Sequence, residues 1–180
     1  MKKRMYIAWV CLLCLLLCSC GSGSSASAND PEAILSQIWA QYGSGETFSV
    51  YGGSPEDNIN GKPGKLSNTD AYQEKFLIPE NQLSSIKSAA SLTHMMNSNV
   101  FTAGVFRLNQ GTNAKSFANA VRDNLKANHW LCGSPEKLLI AAPEGGQLLI
   151  AYGSQSAITL LHTKLLAAFP EASVYVHEGI

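Results

Sequence analysis

The sequence lacks a concentration of positive charge. Its 13 Lys and Arg residues are matched by 13 Asp and Glu residues. Beyond the N-terminus the lysines are scattered from Lys62 to Lys164 and form no stripe. Because nucleic-acid-binding domains normally carry a basic face, the sequence predicts no nucleic-acid partner.

The chain also lacks an apolar run long enough to span a membrane. The run from Met5 to Cys18 falls short of the roughly 20 apolar residues that a spanning helix needs. Basic residues 2–4 precede it and small residues follow it, which is the order of an export signal. We therefore predict a signal peptide over residues 1–19 and a flexible tether, rich in Gly and Ser, over residues 20–29.

Cysteine is scarce once the predicted signal has been removed. Of the five cysteines, Cys11, Cys14 and Cys18 leave with the signal. Cys20 lies at the cleavage junction, so Cys132 is the one thiol left in the body of the chain. This excludes an intramolecular disulfide. Removing the three basic residues of the signal leaves 10 basic against 13 acidic residues, a net charge of −3.

The junction Leu17-Cys18-Ser19-Cys20-Gly21 resembles the lipobox of bacterial lipoproteins. An aliphatic residue stands three positions before Cys20, and a small residue directly precedes it. The resemblance implies that Cys20 carries acyl chains such as palmitate and anchors the protein to the extracytoplasmic face of the cell membrane. Cys18 departs from the usual Ala, Ser or Thr at its position. The alternative is an ordinary signal peptide with an incidental cysteine.

Residues 30–180, about 150 in number, fit a single α+β domain. The sequence therefore argues against a two-lobed solute receptor of a transporter, which needs a second domain to close on its solute. Helical spacing predicts helices over residues 31–42, 114–128 and 154–169. Residues 44–69 are predicted to be rich in loops, with one short strand at 48–51. Apolar and β-branched runs predict the remaining strands, at residues 89–96, 100–108, 137–142, 147–152 and 174–176.

From residue 100 the predicted order is strand, helix, strand, strand, helix, strand, as in ferredoxin-like domains. We therefore predict a two-layer α/β sandwich, with both of these helices on one face of the sheet. The helix of residues 31–42 is expected on the other face. The strand at 100–108 should be central, and the strand at 89–96 should extend an edge.

Three segments of the second half carry a resemblance to known proteins. They are Phe101-Thr102-Ala103-Gly104-Val105-Phe106, Asn128-His129-Trp130-Leu131-Cys132-Gly133 and Pro135-Glu136-Lys137. The stretch from Met96 to Ile180 resembles small Gram-positive lipoproteins, of the type found in Clostridia, that carry a C-terminal domain of unknown function. This resemblance implies a lipobox, a tether and a compact α/β domain, and it implies no activity.

His129 and Cys132 are the candidate reactive pair, because their spacing can place both side chains on one metal ion. His94, His162 and His177 could join them. Structural zinc sites usually need two such close pairs, and the sequence has one. Cys132 could instead be a nucleophile with His129 as its base, although a helix C-terminus disfavours a thiolate. The simpler alternative is that Cys132 packs as a small apolar residue.

Three other motifs are incomplete. Gly153-Ser154-Gln155-Ser156-Ala157 follows a strand but has Gln where a nucleophile elbow needs Ser, so the serines are better explained as helix caps. Glu56 to Gly61 has the spacing of a calcium loop, but Ser67 stands where the bidentate Glu belongs. His94-Met95-Met96 lies beside a predicted turn, where packing is the expected role.

These observations predict a non-catalytic binding or accessory module, anchored at the cell surface through lipid and needing no cofactor. Its partner would be an unknown protein or envelope component, met by a sheet edge or by the polar loop of residues 43–69. The alternative is a small envelope enzyme or metal-binding protein that uses His129 and Cys132.

Overall fold

A computed structural model describes residues 30–53, 61–131 and 133–180. The predicted signal peptide, the tether, Cys20 and Cys132 lie outside the described residues. Most of the candidate calcium loop, residues 54–60, does so too.

Each α-helix begins at a polar side chain that caps it. The helices are α1 (Pro31–Trp39), α2 (Thr69–Phe76), a 3-10 helix (Glu80–Ser85), α3 (Ala114–Ala127) and α4 (Gln155–Ala168). The caps of the four α-helices, in order, are Asp30, Asn68, Asn113 and Ser154. Each cap accepts a backbone N–H of the first turn, which satisfies one of the unpaired donors there. The sequence favours Ser154 or Ser156 as the cap of the last helix, and in the structure the cap is Ser154.

The strands form one antiparallel, seven-stranded sheet within the described residues. They are β1 (Val50–Gly52), β2 (Gly64–Leu66), β3 (Ile86–His94), β4 (Phe101–Leu108), β5 (Lys137–Ala142), β6 (Gln147–Gly153) and β7 (Ser173–Gly179). Their order is β1-β3-β4-β6-β5-β7, and β2 also pairs with β3. The central position predicted for β4 is confirmed. The edge position predicted for β3 is wrong, because β3 pairs with β4 on one side and with β1 and β2 on the other.

The chain order from Phe101 onward is strand, helix, strand, strand, helix, strand. In a ferredoxin-like sheet the last of these strands would lie beside the first. Here β7 pairs with β5, and β4 pairs with β3 and β6. The mixed α/β class is therefore correct, whereas the ferredoxin-like arrangement is not confirmed.

Helices cover both faces of the sheet. In β5, Leu138 and Ile140 belong to a core cluster with Phe117 and Leu125 of α3, whereas the alternate residue Leu139 belongs to a cluster with α1 and α4. Alternate residues of a strand point to opposite faces. The prediction that the two C-terminal helices share one face is therefore wrong. The structure has three layers, helix, sheet and helix, instead of the predicted two. Helix α1 packs beside α4.

The connections explain this difference. Helix α3 links β4 to β5, and α4 links β6 to β7, each crossing one intervening strand in the same direction across the sheet. Strands β4 and β6 run in opposite directions. Because both crossovers are expected to be right-handed, their helices lie on opposite faces. No helix in the described part of the chain has the length and apolarity to cross a membrane.

Candidate functional site: a groove at one end of the sheet

A groove lies at the end of the sheet where β3 ends and β4 begins. The turn of residues 95–100 joins these strands, and residues 128–131 and 133–136, which lie between α3 and β5, are beside it. The side-chain amide of Asn99 joins the two segments. Its Nδ2 donates to the carbonyls of Leu131 at 3.3 Å and Gly133 at 2.6 Å. The start of α4 completes this end of the molecule.

One part of the groove is an apolar compartment of about 420 Å³. Its apolar walls are Phe48, Val100, Ala157 and Leu160. The Phe48 ring stacks on His94 at 5.5 Å between centroids and meets the edge of Phe101 at 5.1 Å. These ring contacts hold Phe48 in place. A volume of this size falls in the range of sites that bind small molecules or single side chains.

The other part is a polar compartment of about 130 Å³. Its polar walls are Asn97, Asn99, Ser134 and Glu136. It shares Val100 and Ser154 with the apolar compartment, so the two adjoin across these residues, which are joined by the hydrogen bond from Ser154 N–H to the Val100 carbonyl at 2.8 Å.

The side chain of Glu136 lies at the N-terminus of α4. Its Oε2 accepts the backbone N–H of Gln155 at 2.7 Å. A carboxylate at this position is favoured by the helix dipole and by the unpaired N–H groups of the first turn. Glu136 therefore places an exposed carboxylate at the N-terminus of α4, a position that would otherwise attract an anionic ligand.

The two carboxylates of the groove, Glu46 and Glu136, differ in how their negative charge is balanced. Glu46 Oε2 lies 2.6 Å from Lys164 Nζ and accepts the Gly43 N–H at 2.6 Å. The hydrogen bond from Lys164, followed by that from Gly43, lowers the pKa of Glu46. Glu136 is bonded to a neutral amide, and none of the described cations pairs with it. Its charge is balanced by the N-terminus of α4 and not by an ion pair.

Exposed apolar side chains lie in the two segments that flank the groove. Five large hydrophobic residues are exposed in the described part of the chain, and three of them lie in the two segments that Asn99 joins. Met95 is 44% exposed, Met96 84% and Leu131 83%. We call these three residues the apolar rim. Concentrated exposure of this kind is typical of interaction surfaces.

The four histidines named as candidates from the sequence do not form one cluster among the described residues. His129 is exposed in the loop after α3, and Cys132 is not described. His94 lies against Phe48, whereas His162 and His177 lie together with 4.5 Å between their rings. Among the described residues, no group of three or more His, Cys, Asp and Glu side chains could hold a metal. The pairing of His129 with Cys132 stays a prediction.

A row of hydroxyl groups crosses the α3 face of the sheet at the same end. Tyr51, Thr93, Thr102 and Tyr152 stand opposite one another on β1, β3, β4 and β6. The Tyr152 hydroxyl donates to the Lys75 carbonyl at 2.6 Å. Burial raises the pKa of Tyr152 to about 12, so its phenol is neutral near pH 7. The Tyr152 hydroxyl is therefore engaged by the backbone within the described structure.

Sequence reasoning found several residues of the groove without placing them together. The turn at Asn97-Ser98-Asn99 and the cap at Ser154 were predicted as local structure. Glu136 lies in one of the segments that carry the lipoprotein resemblance. Nothing in the sequence pattern joins these segments to Phe48, because their proximity depends on the sheet order.

No family model, curated protein or solved structure matches this chain. The resemblance to Gram-positive lipoproteins therefore remains an expectation from the sequence.

Proposed function

We propose that this protein is a lipid-anchored lipoprotein on the extracytoplasmic face of the cell membrane and acts there as a non-catalytic binding module. The groove and its apolar rim form the surface that meets a protein or peptide partner. One observation carries this proposal: Met95, Met96 and Leu131 are exposed beside an apolar compartment of about 420 Å³.

Energetics support a partner at this end. Each square ångström of apolar surface removed from water contributes about 25 cal/mol, and a fully buried Leu or Met side chain contributes about 1.5–3 kcal/mol. Leu131 and Met96 remain largely exposed although Asn99 fixes the backbone beside Leu131. An apolar partner surface would gain from burying both side chains without first having to order this loop.

The predicted anchor is compatible with a free groove. At the C-terminal end of α1, Trp39 lies 5.5 Å from Phe48, ring centroid to ring centroid, beside the groove. Pro31, at the other end of the helix, is about 12 Å away at 1.5 Å per residue. The predicted tether joins there. A flexible tether of 10 residues spans about 17 Å. This length would hold the groove away from the membrane surface.

Site-specific photo-crosslinking in cells tests the proposal. A photoreactive residue replaces Met96 or Leu131 in the full chain, and the control replaces Lys115, which is exposed at the start of α3. Lys115 lies roughly 18 Å along that helix from its C-terminal end. We expect the same identified partner from both rim positions and not from the control. Identical adducts from all three positions, or none from the rim, would overturn the proposal.

A further inference from the structure

We infer that the groove selects a peptide segment in which an apolar side chain lies next to a Lys or Arg. This inference names the chemistry of the partner and rests on the proposed function. It draws on the different linings of the two compartments, on the residues that they share and on the Glu136 carboxylate, which none of the described cations pairs with.

The apolar compartment accounts for the apolar side chain. Phe48, Val100 and Leu160 supply carbon surface, and Ala157 leaves space between them and the start of α4. The one carboxylate that lines this compartment, Glu46, is already paired with Lys164. A Leu- or Met-sized side chain would therefore lose water without leaving an unpaired charge in its walls.

The polar compartment accounts for the cation. Glu136 lines this compartment and uses Oε2 for the Gln155 N–H, so Oε1 can accept a further donor. Asn99 uses its side-chain N–H groups for the carbonyls of Leu131 and Gly133, which leaves its Oδ1 as an acceptor. Asn97 can still donate its side-chain N–H groups, because its Oδ1 accepts the Asn99 N–H. The Glu136 carboxylate and Asn99 Oδ1 are acceptors that remain for a ligand, and no Lys or Arg lines either compartment. Lys and Arg side chains carry donors only, so they match these acceptors.

The same contacts disfavour an acidic segment. A helix N-terminus ordinarily attracts anions, but the Glu136 carboxylate already holds the Gln155 N–H at the start of α4. A ligand carboxylate in the polar compartment would meet this like charge.

The compartments adjoin across Val100 and Ser154, and this short separation sets the spacing of the motif. Val100 and Ser154 line both compartments. An extended peptide rises about 3.3 Å per residue, and its successive side chains point in opposite directions. One or two residues are therefore enough to take a peptide from one compartment to the other, so the apolar and basic side chains would be neighbours in its sequence.

Peptide binding to the full lipidated chain in nanodiscs tests this inference. The probes are acetylated, fluorescently labelled Gly-Gly-Leu-Lys-Gly-Gly peptides, with Leu changed to Ser or Lys changed to Glu in two matched versions. Binding is measured by anisotropy. We expect the Leu-Lys probe to bind about tenfold more tightly than either matched version, because each of these loses one of the two complementary contacts.

The variant Glu136→Gln removes the charge while keeping an acceptor for the Gln155 N–H. We expect it to reduce the preference for Lys over Glu to within about twofold. The control Glu144→Gln, in the turn between β5 and β6 at the opposite end of the sheet, should keep the full preference.

Three outcomes would overturn the inference: equal affinity for the Leu-Lys and Leu-Glu probes, no binding of any probe, or an unchanged preference in Glu136→Gln. None of them bears on the crosslinks at Met96 and Leu131, which test the proposed function separately.

Discussion

The Glu136 carboxylate accepts a hydrogen bond from the backbone N–H of Gln155 at 2.7 Å. The backbone of Glu136 also donates its N–H to the Gly153 carbonyl at 2.8 Å, and its carbonyl accepts the Ile180 N–H at 3.3 Å. One residue therefore joins the loop before β5 to the end of β6, the start of α4 and the end of the chain. Its side chain gives the groove its charge, and its backbone fixes the position of that charge.

Glu136→Ala should lower the free energy of unfolding by about 1 kcal/mol, because α4 loses a charged hydrogen bond at its N-terminus. Glu136→Gln should lower it less, since the amide oxygen can still accept the Gln155 N–H. Urea unfolding of both variants measures the difference. Equal losses in the two variants would show that the hydrogen bond is not the source of the effect.

Gly104→Ala should destabilise the fold by about 1–3 kcal/mol through overpacking. A Cβ at this position would lie 2.7 Å from Phe76 Cε1 and 3.0 Å from Phe106 Cε2, and both rings are fully buried. The matched control is Gly145→Ala, whose added Cβ would meet nothing within 4 Å. Thermal unfolding of the pair checks this prediction, which fails if the two variants lose the same stability.

Acid should weaken the contact between α4 and β7. Partial desolvation lowers the pKa of His177, an exposed residue, below its ordinary value of 6.5, with further lowering from His162 and Lys137. A group whose folded pKa is depressed contributes stability that is fully present above the unfolded pKa. That stability is lost as the pH falls through the folded value.

Urea unfolding between pH 7.5 and pH 5 measures this effect. We expect the wild-type chain to lose stability toward pH 5 more steeply than His177→Gln. His129→Gln, which changes an exposed histidine, should keep the wild-type dependence. Parallel curves for the wild-type chain and His177→Gln would contradict the assignment.

Cys20→Ser should abolish lipidation and move the exported protein from the membrane fraction to the soluble fraction, because two acyl chains anchor stably. The matched control Cys18→Ser restores a residue type that is usual in a lipobox, so this variant should remain in the membrane. Fractionation and the intact mass of the N-terminal peptide report both results. A membrane-bound Cys20→Ser variant with an unmodified N-terminus would contradict the predicted anchor.

Local structure could be predicted from the sequence where a short segment carries the whole signal. The spacing of Val121 and Leu125 predicted α3, and the cap at Ser154 predicted the start of α4. Sheet order could not be predicted in this way. The apolar residues of β7 favour a strand but do not determine its neighbour, and that neighbour decides which face α4 covers.

The groove was missed for a related reason. Phe48, Asn99, Glu136 and Ser154 lie far apart in the sequence, and each has an ordinary local explanation as an aromatic residue, a turn or a cap. They converge because β4 and β6 pair with Phe101 opposite Gly153, which brings the turn before β4 to the start of α4.

The most direct test of the binding surface is the yield of the crosslink from position 131 in cells when Met96 is changed to Asp. The same substitution at Lys115 serves as the control. If the apolar rim binds the partner, Met96→Asp should reduce the yield by about tenfold, as expected for the loss of one buried apolar contact. Lys115→Asp should leave the yield unchanged. An undiminished crosslink in Met96→Asp would contradict the proposed role of this surface.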